Sequence, residues 1–435
     1  MNSQNKQDFV VISKAKPMNY KTNYVYLPKD YGSKNYFERA DVQAIRNVVF
    51  QNLDILNDKS QFLQKMRNKK LILKPNLVGV FRDIGFSPAI VPQSTDPRVL
   101  DAIVEYFTPF VDEIIIAEAS GSGFPTRTSF KLAGLDRLAK YRGIQLACLE
   151  EQPVERYYLP KAKAMKECLI PAIFGEVVRK EASYISIPKM KTNMYTEVTL
   201  GFKNAMGIIP LNLRQRDHNY NLEQKLVDLL FLLKPDVTII DGIVGGQGQI
   251  PATAEPIESG IVISGTNVVE TDRVATEIMG LKAEKVKLIH LAKKMGFGND
   301  SVEIIGEKEP IPFKQADPSL MNDAFHEKFS KVTALIGHQL KTAPKITDLK
   351  KVKKNDLKKM ELACRGGCLV ATRMAFELLA AEEQKIPPMT IIIGKGVIVN
   401  GKGPYYFNRE GKVYTLKKIA EIKQPVLAVG SCTSH

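Results

Sequence analysis

Short apolar runs, each followed by a polar or glycine-rich turn, place the strongest limit on the fold of this chain. A helical pattern follows most of these turns, which is the order of a βαβ unit. The sequence therefore predicts an α/β fold with a doubly wound, mostly parallel sheet. Ligands bind outside the carboxyl ends of the strands in such sheets, so we expect the five strand ends to converge. The runs are KLILKPN ending at Asn76, DEIIIAEASGSG ending at Gly123, YISIPKMK ending at Lys191, DVTIIDGIVGGQG ending at Gly248 and GIVISGTN ending at Asn267.

The length of 435 residues exceeds the usual size of a single core, which favours more than one domain. After about Gly306 the apolar pattern gives way to a polar, proline-containing stretch and a lysine-rich segment. Strand and helix patterns return near the carboxyl terminus. We therefore expect an α/β domain over 1–305, a polar and lysine-rich connecting segment over 306–360, and a small α/β domain with cysteines over 361–435.

Capping residues predict the starts of two helices. Asp96 stands before Pro97 and an apolar helical pattern, and Thr271 and Asp272 precede a second pattern that Gly280 would end. We expect both aspartates to cap the helices that follow them.

The formal net charge is +15, and eight lysines lie between Lys341 and Lys359. This lysine-rich segment has no interleaved aromatic residues, and the chain has no zinc-finger or helix-turn-helix signature, so a solvated linker or helix face is favoured over a nucleic-acid site. No segment is apolar enough to span a membrane, and the amino terminus lacks a secretion signal. These features predict a cytoplasmic protein without a membrane partner. The sequence leaves the oligomeric state open.

The stretch from Ile185 to Pro210 contains three lysines separated by glycine-containing turns, and Arg214 and Arg216 follow it. Ammonium groups, guanidinium groups and the backbone amides of glycine loops suit a carboxylate or a phosphate. We therefore predict an anionic small-molecule substrate. The predicted substrate-binding residues are Lys74, Asn76, Ser120, Lys189, Lys191, Thr192, Lys203, Asn204 and Asp241.

Catalysis requires a group that moves a proton or attacks the substrate. The candidates are His218, Glu118 and Lys191. His218 lies in the polar segment LRQRDHN, whereas His290, His326 and His338 lie in helix-like contexts and are expected to be structural. Neither glycine loop matches a P-loop or a clean dinucleotide fingerprint, so no nucleotide cofactor is predicted.

The five cysteines are too widely spread for a disulfide framework, and Cys148 and Cys168 are expected to be ordinary core residues. Cys364 and Cys368 in CRGGC and Cys432 in GSCTS could act together. Three thiolates could hold a 4Fe-4S cluster with one iron open to substrate, or zinc with an open position; two could form a redox pair, or all three could be unreactive. A helix after Cys368 is expected to lower nearby thiol pKa values.

Seven motifs give the chain a resemblance to the domain-of-unknown-function 362 family. They are LILKPNLVG, STDPRVLDAIV, IIIAEASGSG, YISIPKMKT, LGFKNAMGIIP, PDVTIIDGIVGGQGQIP and VVETDRVATEIMG, in this order from about Leu71 to Gly280. Some members of this family carry ferredoxin-like cysteine motifs and are labelled iron–sulfur proteins. This chain lacks the repeated CxxCxxC pattern, so a cluster here would have to use Cys364, Cys368 and Cys432. The resemblance implies a fold and a site location but no agreed reaction.

Together these features favour an enzyme that binds an anionic small molecule at the strand ends, with the three thiols facing the same crevice. A non-catalytic protein that binds an anionic metabolite is the alternative, and a nucleic-acid-binding protein is the third.

Overall fold

A computed structural model describes residues 7–22, 24–67, 69–79, 92–121, 124–217, 221–338, 346–382, 384–430 and 432. The chain divides into two compact units. The first comprises Met1–Ile250 and Ala254–Ala316, and the second comprises Pro251–Thr253 and Asp317–His435. The predicted connecting segment 306–360 contributes a helix, Asp323–Lys328, and a strand, Val332–Ile336, to the second unit.

A large sheet forms the centre of the first unit. The strands of this unit are β1 (Phe9–Lys14), β2 (Lys70–Pro75), β3 (Glu113–Glu118), β4 (Gln145–Cys148), β5 (Val154–Tyr158), β6 (Glu167–Pro171), β7 (Ala182–Ile187), β8 (Lys189–Asn193), β9 (Glu197–Thr199), β10 (Val237–Gln249), β11 (Thr253–Gly265) and β12 (Glu303–Ile305). The main path runs β12-β1-β11-β10-β7-β2-β3-β4, with β8 beside β10 and β9 beside β8. Strands β5 and β6 form a separate pair.

Strand direction decides which strand ends meet. Strands β10, β7, β2, β3 and β4 are parallel to their neighbours, and β8 is parallel to β10. The mostly parallel α/β fold predicted from the sequence is therefore confirmed. Strand β11 is the exception, because it follows β10 through a connection too short for a crossover and so forms a hairpin with it. The prediction that all five strand ends converge is wrong for Asn267, which lies beyond the opposite end of the sheet.

Helices follow most strands of the first unit. They are α1 (Lys34–Phe37), α2 (Ala40–Ser60), α3 (Phe62–Met66), α4 (Pro97–Phe107), α5 (Thr126–Ala133), α6 (Leu135–Arg142), α7 (Ala172–Val178), α8 (Gly201–Asn204), α9 (Leu211–Asp217), α10 (Leu222–Leu229), α11 (Val268–Ile278) and α12 (Lys287–Lys294). Helix α2 shows the helical period clearly, because Val42, Ile45, Val49, Leu53 and Leu56 are buried at spacings of three or four residues. This apolar face belongs to the same core as Val11 of β1.

The predicted helix caps are confirmed in one case and wrong in the other. The Asp96 carboxylate accepts a hydrogen bond from the Arg98 backbone N–H and caps α4. Helix α11 begins earlier than predicted, and its cap is Asn267, whose side-chain oxygen accepts from Val269 and Glu270. Thr271 and Asp272 therefore lie inside α11. Gly280 follows its end with a φ of 77°, as expected for a residue that terminates a helix.

The second unit has its own six-stranded sheet. Its strands are β13 (Val332–Ile336), β14 (Met389–Ile393), β15 (Val397–Val399), β16 (Lys402–Phe407), β17 (Val413–Thr415) and β18 (Val426–Val429), and its helices are α13 (Asp323–Lys328), α14 (Lys354–Ala363), α15 (Val370–Ala381) and α16 (Leu416–Ala420). Strands β13, β14 and β18 are adjacent and parallel. A π-helical turn, Arg365–Leu369, joins α14 to α15. The α/β prediction for the carboxyl-terminal region is confirmed.

The lysine-rich segment is described from residue 346 onward and includes the start of α14. Helix α14 buries Leu357, Met360 and Glu361, and its lysines are exposed. Across the described parts of the chain, no helix combines the length and apolar character needed to cross a membrane.

Candidate functional site

Four neighbouring strands of the first unit bring charged residues to one edge of the sheet. Lys74 lies near the end of β2, Glu118 ends β3, Lys189 and Lys191 lie in β8, and Asp241 lies in β10. All five residues are buried, and each is at most 2% exposed. Buried charges are costly unless they are paired and hydrogen-bonded, so the partners of each one indicate its role.

The first buried pair joins β2 to β3. Lys74 Nζ lies 2.7 Å from Glu118 Oε1 and also donates to Asn204 Oδ1 at 3.3 Å. Asn204 Nδ2 donates in return to the Lys74 carbonyl oxygen at 2.9 Å. Glu118 accepts two further bonds, from the backbone N–H groups of Leu77 and Ala119. Burial lowers the pKa of Lys74, while Glu118 opposes that effect.

The second buried pair joins β8 to β10. Lys189 Nζ lies 2.6 Å from Asp241 Oδ2 and donates to the Val244 carbonyl oxygen at 3.0 Å. Asp241 also accepts bonds from the backbone N–H groups of Asp96 and Ile243, at 2.7 and 3.2 Å. Lys189 and Asp241 thus neutralise each other and tie the start of α4 to the sheet.

Lys191 and Lys203 differ from these two lysines because neither has a carboxylate partner among the described residues. Lys191 Nζ donates to a backbone carbonyl, that of Gln93, at 2.5 Å. Burial, then the charges of Lys203, Lys189 and Lys74, lower the pKa of Lys191 well below its ordinary value. Lys203 is partly buried in α8, and burial followed by the charge of Arg214 lowers its pKa to about 8.

Arg214 of α9 adds a third cation without a carboxylate partner in the described part of the chain. Its Nη1 and Nη2 groups donate to the carbonyl oxygens of Ala119 and Ser120, at 3.2 and 3.3 Å. Its buried Nε has no hydrogen-bond partner among the described residues. Burial lowers the pKa of Arg214, and the charge of Glu118 opposes this. Lys203 and Arg214 therefore leave an excess of positive charge beside two neutralised pairs.

Close backbone approach at Gly207 keeps this cluster compact. A Cβ at Gly207 would lie 2.5 Å from Glu118 Oε1 and 2.7 Å from Lys74 Nζ. A side chain here would push into the first ion pair, so the sequence GFKNAMG needs its second glycine for space.

Asp272 fixes the other end of GFKNAMG. Its two carboxylate oxygens accept the backbone N–H groups of Gly201 and Phe202, at 2.7 and 3.1 Å. The side chain thereby caps α8 from a distance of 71 residues along the chain. Burial raises the pKa of Asp272 to about 8, although the two N–H groups act in the opposite direction. The sequence predicted a capping role for Asp272 but assigned it to the wrong helix.

The remaining predicted ligands occupy different places. Asn76 follows β2, and its buried Oδ1 has no hydrogen-bond partner among the described residues. Ser120 Oγ donates to the Leu77 carbonyl oxygen at 2.9 Å. Thr192 Oγ1 donates to the Gly248 carbonyl oxygen at 3.0 Å. Because adjacent strand residues face opposite sides, Thr192 is directed away from the side on which Lys191 lies.

Two predicted residues cannot be placed. His218 lies outside the described residues, and the side chain of Arg216 does as well. Conversely, sequence analysis missed Ser186 of β7. Its Oγ accepts from Asn204 Nδ2 at 3.1 Å and donates to the Gly201 carbonyl oxygen at 3.1 Å. The signal was a serine within the apolar run YISI, which is an unusual position for a polar residue.

The second unit brings its three predicted thiols together. Gly430, with a φ of 95°, follows β18, and a Cβ there would overlap Cys368 Sγ and stand 3.9 Å from Cys432 Sγ. Burial, then Cys368 and Cys432, raise the pKa of Cys364 to about 12. Burial and Cys432 likewise raise the pKa of Cys368. The predicted lowering of thiol pKa values by α15 is therefore wrong, because burial and mutual repulsion of the thiolates outweigh the helix dipole.

Two further polar side chains of the second unit are buried. His338 follows β13 instead of lying in a helix, and it is buried with no hydrogen-bond partner for either ring nitrogen among the described residues. Tyr406 donates to the Gly394 carbonyl oxygen at 3.2 Å, and Cys432 contributes to its raised pKa after burial. Cys148 and Cys168, by contrast, lie in apolar cores of the first unit, as predicted.

A metal ion bound by protein side chains needs several donor atoms arranged around one point. Within the described ranges, no group of three or more histidine, cysteine, aspartate or glutamate side chains is arranged to hold one ion.

The buried charged residues of the first unit lie in a part of the chain that matches a known protein family. A family model described as "Domain of unknown function (DUF362)" matches residues 71–277. Residues 71–277 of the chain thus resemble this family. This confirms the resemblance noted in the sequence. The match includes all the buried charged residues described above, from Lys74 to Asp272, which we call the lysine cluster. The three clustered thiols of the second unit lie beyond the match.

A curated relative aligns with part of the chain. This is the thylakoid-associated protein sll1697 of Synechocystis sp., which is 26% identical over 127 residues. The alignment covers 28% of the present chain and 39% of the relative, so well under two thirds of the relative's length is matched.

Proposed function

We propose that the protein is an enzyme that acts on an anionic small molecule, a carboxylate or a phosphate, in the lysine-rich crevice of the region that resembles the DUF362 family. One observation carries the proposal: Lys203 and Arg214 are largely buried cations without a carboxylate partner among the described residues, and they lie in the same cluster as Lys191. Cations that serve only to stabilise a fold are paired, as Lys74 and Lys189 are. A bound anion would supply the missing negative charge.

Electrostatics support an anion over a neutral ligand. Lys203 has a pKa of about 8 because of burial and Arg214. A bound anion would raise that pKa by favouring the ammonium form. Binding would therefore take up a fraction of a proton near neutral pH, and the crevice would bind anions more strongly at slightly acidic pH than at alkaline pH.

The proton chemistry of the proposed enzyme falls mainly to Lys191. Glu118 already accepts bonds from Lys74 and two backbone N–H groups, which occupy its oxygens. Lys191 has a pKa lowered by burial and a single carbonyl acceptor among the described residues, so it gives up its proton more readily than an ordinary lysine. His218 stays a candidate from the sequence.

Anion binding is tested by thermal unfolding with phosphate, acetate and citrate. We expect stabilisation of the native protein that is lost in Lys203→Ala and retained in part in Lys203→Arg, since the arginine keeps the charge. Lys140→Ala is the matched control, because Lys140 is exposed on α6. Equal stabilisation of all four proteins would contradict the proposal.

The alternative is a protein that binds the anion without catalysis. The same crevice would serve this function, and turnover distinguishes the two. Anion-dependent stabilisation without consumption of any carboxylate or phosphate compound in a metabolite panel would favour the binding protein. A nucleic-acid-binding protein is the third possibility, and it would use the lysine-rich segment, whose described lysines lie exposed along α14 and the turn before it.

For the second unit, we propose that Cys364, Cys368 and Cys432 provide the ligands of a 4Fe-4S cluster. Thiolates are the usual cluster ligands. The sulfurs of Cys368 and Cys432 lie near Gly430, and both cysteines act on the pKa of Cys364. A cluster would lower the pKa of each thiol by binding its thiolate form. Iron and sulfide analysis after anaerobic purification tests this. Wild-type protein without iron, or unchanged iron in the triple Cys→Ser variant, would refute it.

A cytoplasmic location belongs to this proposal and rests on the sequence alone. The relative in Synechocystis sp. is named as thylakoid-associated, which describes that protein. Cell fractionation with an antibody against this chain would decide the location.

A further inference from the structure

We propose that Lys191 attacks a carbonyl carbon of the bound anion and forms an imine with it, so that the substrate is an aldehyde or ketone that also carries a carboxylate or phosphate. This inference rests on the proposed function and adds to it the substrate class and a covalent step. It begins from the contrast between Lys191 and the other buried lysines of the crevice.

The hydrogen bonds of Lys191 are compatible with a neutral amine. Lys74 and Lys189 each face a carboxylate oxygen, at 2.7 and 2.6 Å, which holds them as ammonium ions. Lys191 faces only the Gln93 carbonyl oxygen. A neutral amine can donate one N–H to that oxygen and still keep its lone pair for attack.

The surroundings of Lys191 favour the neutral amine. The residue is 2% exposed, and three other lysines, Lys203, Lys189 and Lys74, act on it with like charge. Desolvation and neighbouring cations are the two means by which proteins produce a nucleophilic lysine. Both act here, and the opposing charge of Glu118 is weaker than those of Lys203 and Lys189.

The backbone holds Lys191 in a fixed position. Lys191 pairs with Thr199 of β9 on one side and with Gly246 of β10 on the other. A Cβ at Gly246 would lie 3.1 Å from Lys191 Cβ and 2.7 Å from the Pro92 carbonyl oxygen, so the strands approach closely at this point. A side chain anchored on a central strand loses little further freedom when it reacts.

The neighbours of Lys191 specify the second part of the substrate. Lys203 exerts the largest charge effect on Lys191, and Arg214 acts in turn on Lys203. These two cations suit a carboxylate or phosphate attached to the carbonyl compound. A crevice with one neutral amine beside two unpaired cations therefore matches a substrate with one carbonyl group and one anionic group.

The proposed step balances without a further reactant. The Lys191 nitrogen forms a bond to the carbonyl carbon, and one proton moves from nitrogen to oxygen to give a carbinolamine. The hydroxyl then takes a proton from the Lys203 ammonium group and leaves as water, and the nitrogen lone pair forms the C=N bond of a protonated imine. No atom is oxidised or reduced in this step.

The test uses glyoxylate as the probe, because it is a small aldehyde that carries a carboxylate. The full-length protein is incubated with glyoxylate and sodium borohydride, which reduces any imine to a stable carboxymethyl group, and the modified lysines are mapped by mass spectrometry. We expect Lys191 to be modified on the order of 100-fold faster at pH 7.4 than exposed Lys140, because an ordinary lysine is about 0.1% neutral at that pH.

Two comparisons sharpen the result. Modification of Lys191 should rise less steeply with pH than modification of Lys140, which should rise about tenfold per pH unit between about pH 7 and 9. Acetaldehyde lacks the carboxylate and should modify Lys191 much more slowly than glyoxylate does. The Lys191→Arg variant keeps the positive charge and should show only the modification of exposed lysines.

The outcomes separate this inference from the proposed function. If phosphate or acetate stabilises the wild-type protein but glyoxylate modifies Lys203 or only exposed lysines, the imine step is refuted and the anion site stands. If Lys191 reacts equally with acetaldehyde and glyoxylate and no anion stabilises the protein, the anion site is refuted. Mapping in the wild-type protein gives this answer even if Lys191→Arg fails to fold.

Discussion

At the scale of single residues, the buried lysines of the first unit are of two kinds. Some are paired with a carboxylate, and others have no carboxylate partner among the described residues. Lys74 and Lys189 are held by Glu118 and Asp241, and removal of either carboxylate would leave a buried charge without a partner. Lys203 has no such partner in the described part of the chain. The distinction depends on which carboxylates the fold brings near each lysine. It therefore could not be obtained from lysine spacing in the sequence.

Asp272 provides a prediction about pH. Its native pKa of about 8 lies above the value of about 3.9 expected in the unfolded chain, so the native state binds the proton more tightly. The stabilisation from this proton is fully present below about pH 4 and is lost as the pH rises through about 8. The free energy of unfolding should therefore fall by up to about 1.4 kcal/mol per pH unit between these values on account of Asp272.

Asp272→Asn removes this titration and supplies the measurement. Urea unfolding of both proteins at pH 5, 6, 7 and 8 should show the advantage of the wild type over the variant shrinking as the pH rises. A difference that is constant with pH would mean that Asp272 stays ionised in the native protein, held so by the Gly201 and Phe202 N–H groups.

At the scale of secondary structure, local patterns predicted the strands but not every direction. Four of the five apolar runs became parallel strands whose ends carry Lys74, Glu118, Lys191 and Asp241. The fifth run became β11, which pairs antiparallel with β1. Its sequence resembles that of a parallel strand because β11 is buried deep in the sheet along Ile261–Gly265. Direction is fixed instead by the short turn after β10.

Contacts between elements that are far apart in the sequence account for the site residues that sequence analysis missed or assigned wrongly. Asp272 of α11 caps α8, and Ser186 of β7 binds Asn204 of α8. Each contact joins elements whose separation is set by the whole sheet, and neither leaves a local sequence pattern. The thiols show the same limit, since CRGGC predicted the turn but not the burial that raises the pKa of Cys364.

Gly207, in the turn after α8, packs directly against the Lys74–Glu118 ion pair. Gly207→Ala would place a methyl group 2.5 Å from Glu118 Oε1, so the Lys74–Glu118 pair must shift. We expect a loss of about 1–3 kcal/mol in the free energy of unfolding, and a loss of stabilisation by phosphate. Chemical denaturation and thermal unfolding with phosphate measure the two effects.

The control for this change is Gly143→Ala. Gly143 has a φ of 67° and no atom within 4 Å of an added Cβ. This variant should lose about 1 kcal/mol from backbone strain and keep its full response to phosphate. If Gly207→Ala behaves in the same way, the Gly207 backbone does not shape the anion site.

At the scale of the whole molecule, the residues of the anion site belong to one unit. Every member of the lysine cluster, from Lys74 to Asp272, lies in the first unit and within the residues matched by the DUF362 family model. The three clustered thiols lie in the second unit. The proposed anion site and the proposed cluster site therefore depend on residues of different units.

This separation predicts the behaviour of a shortened chain that ends at Ala316. The first unit keeps its apolar cores and both buried ion pairs, so the shortened chain should fold and be stabilised by phosphate as the full chain is. It should contain no iron, because it lacks Cys364, Cys368 and Cys432. Circular dichroism establishes folding, and Lys203→Ala in the shortened chain controls for nonspecific effects of phosphate. A folded fragment without a phosphate response would contradict the assignment of the anion site to the first unit alone.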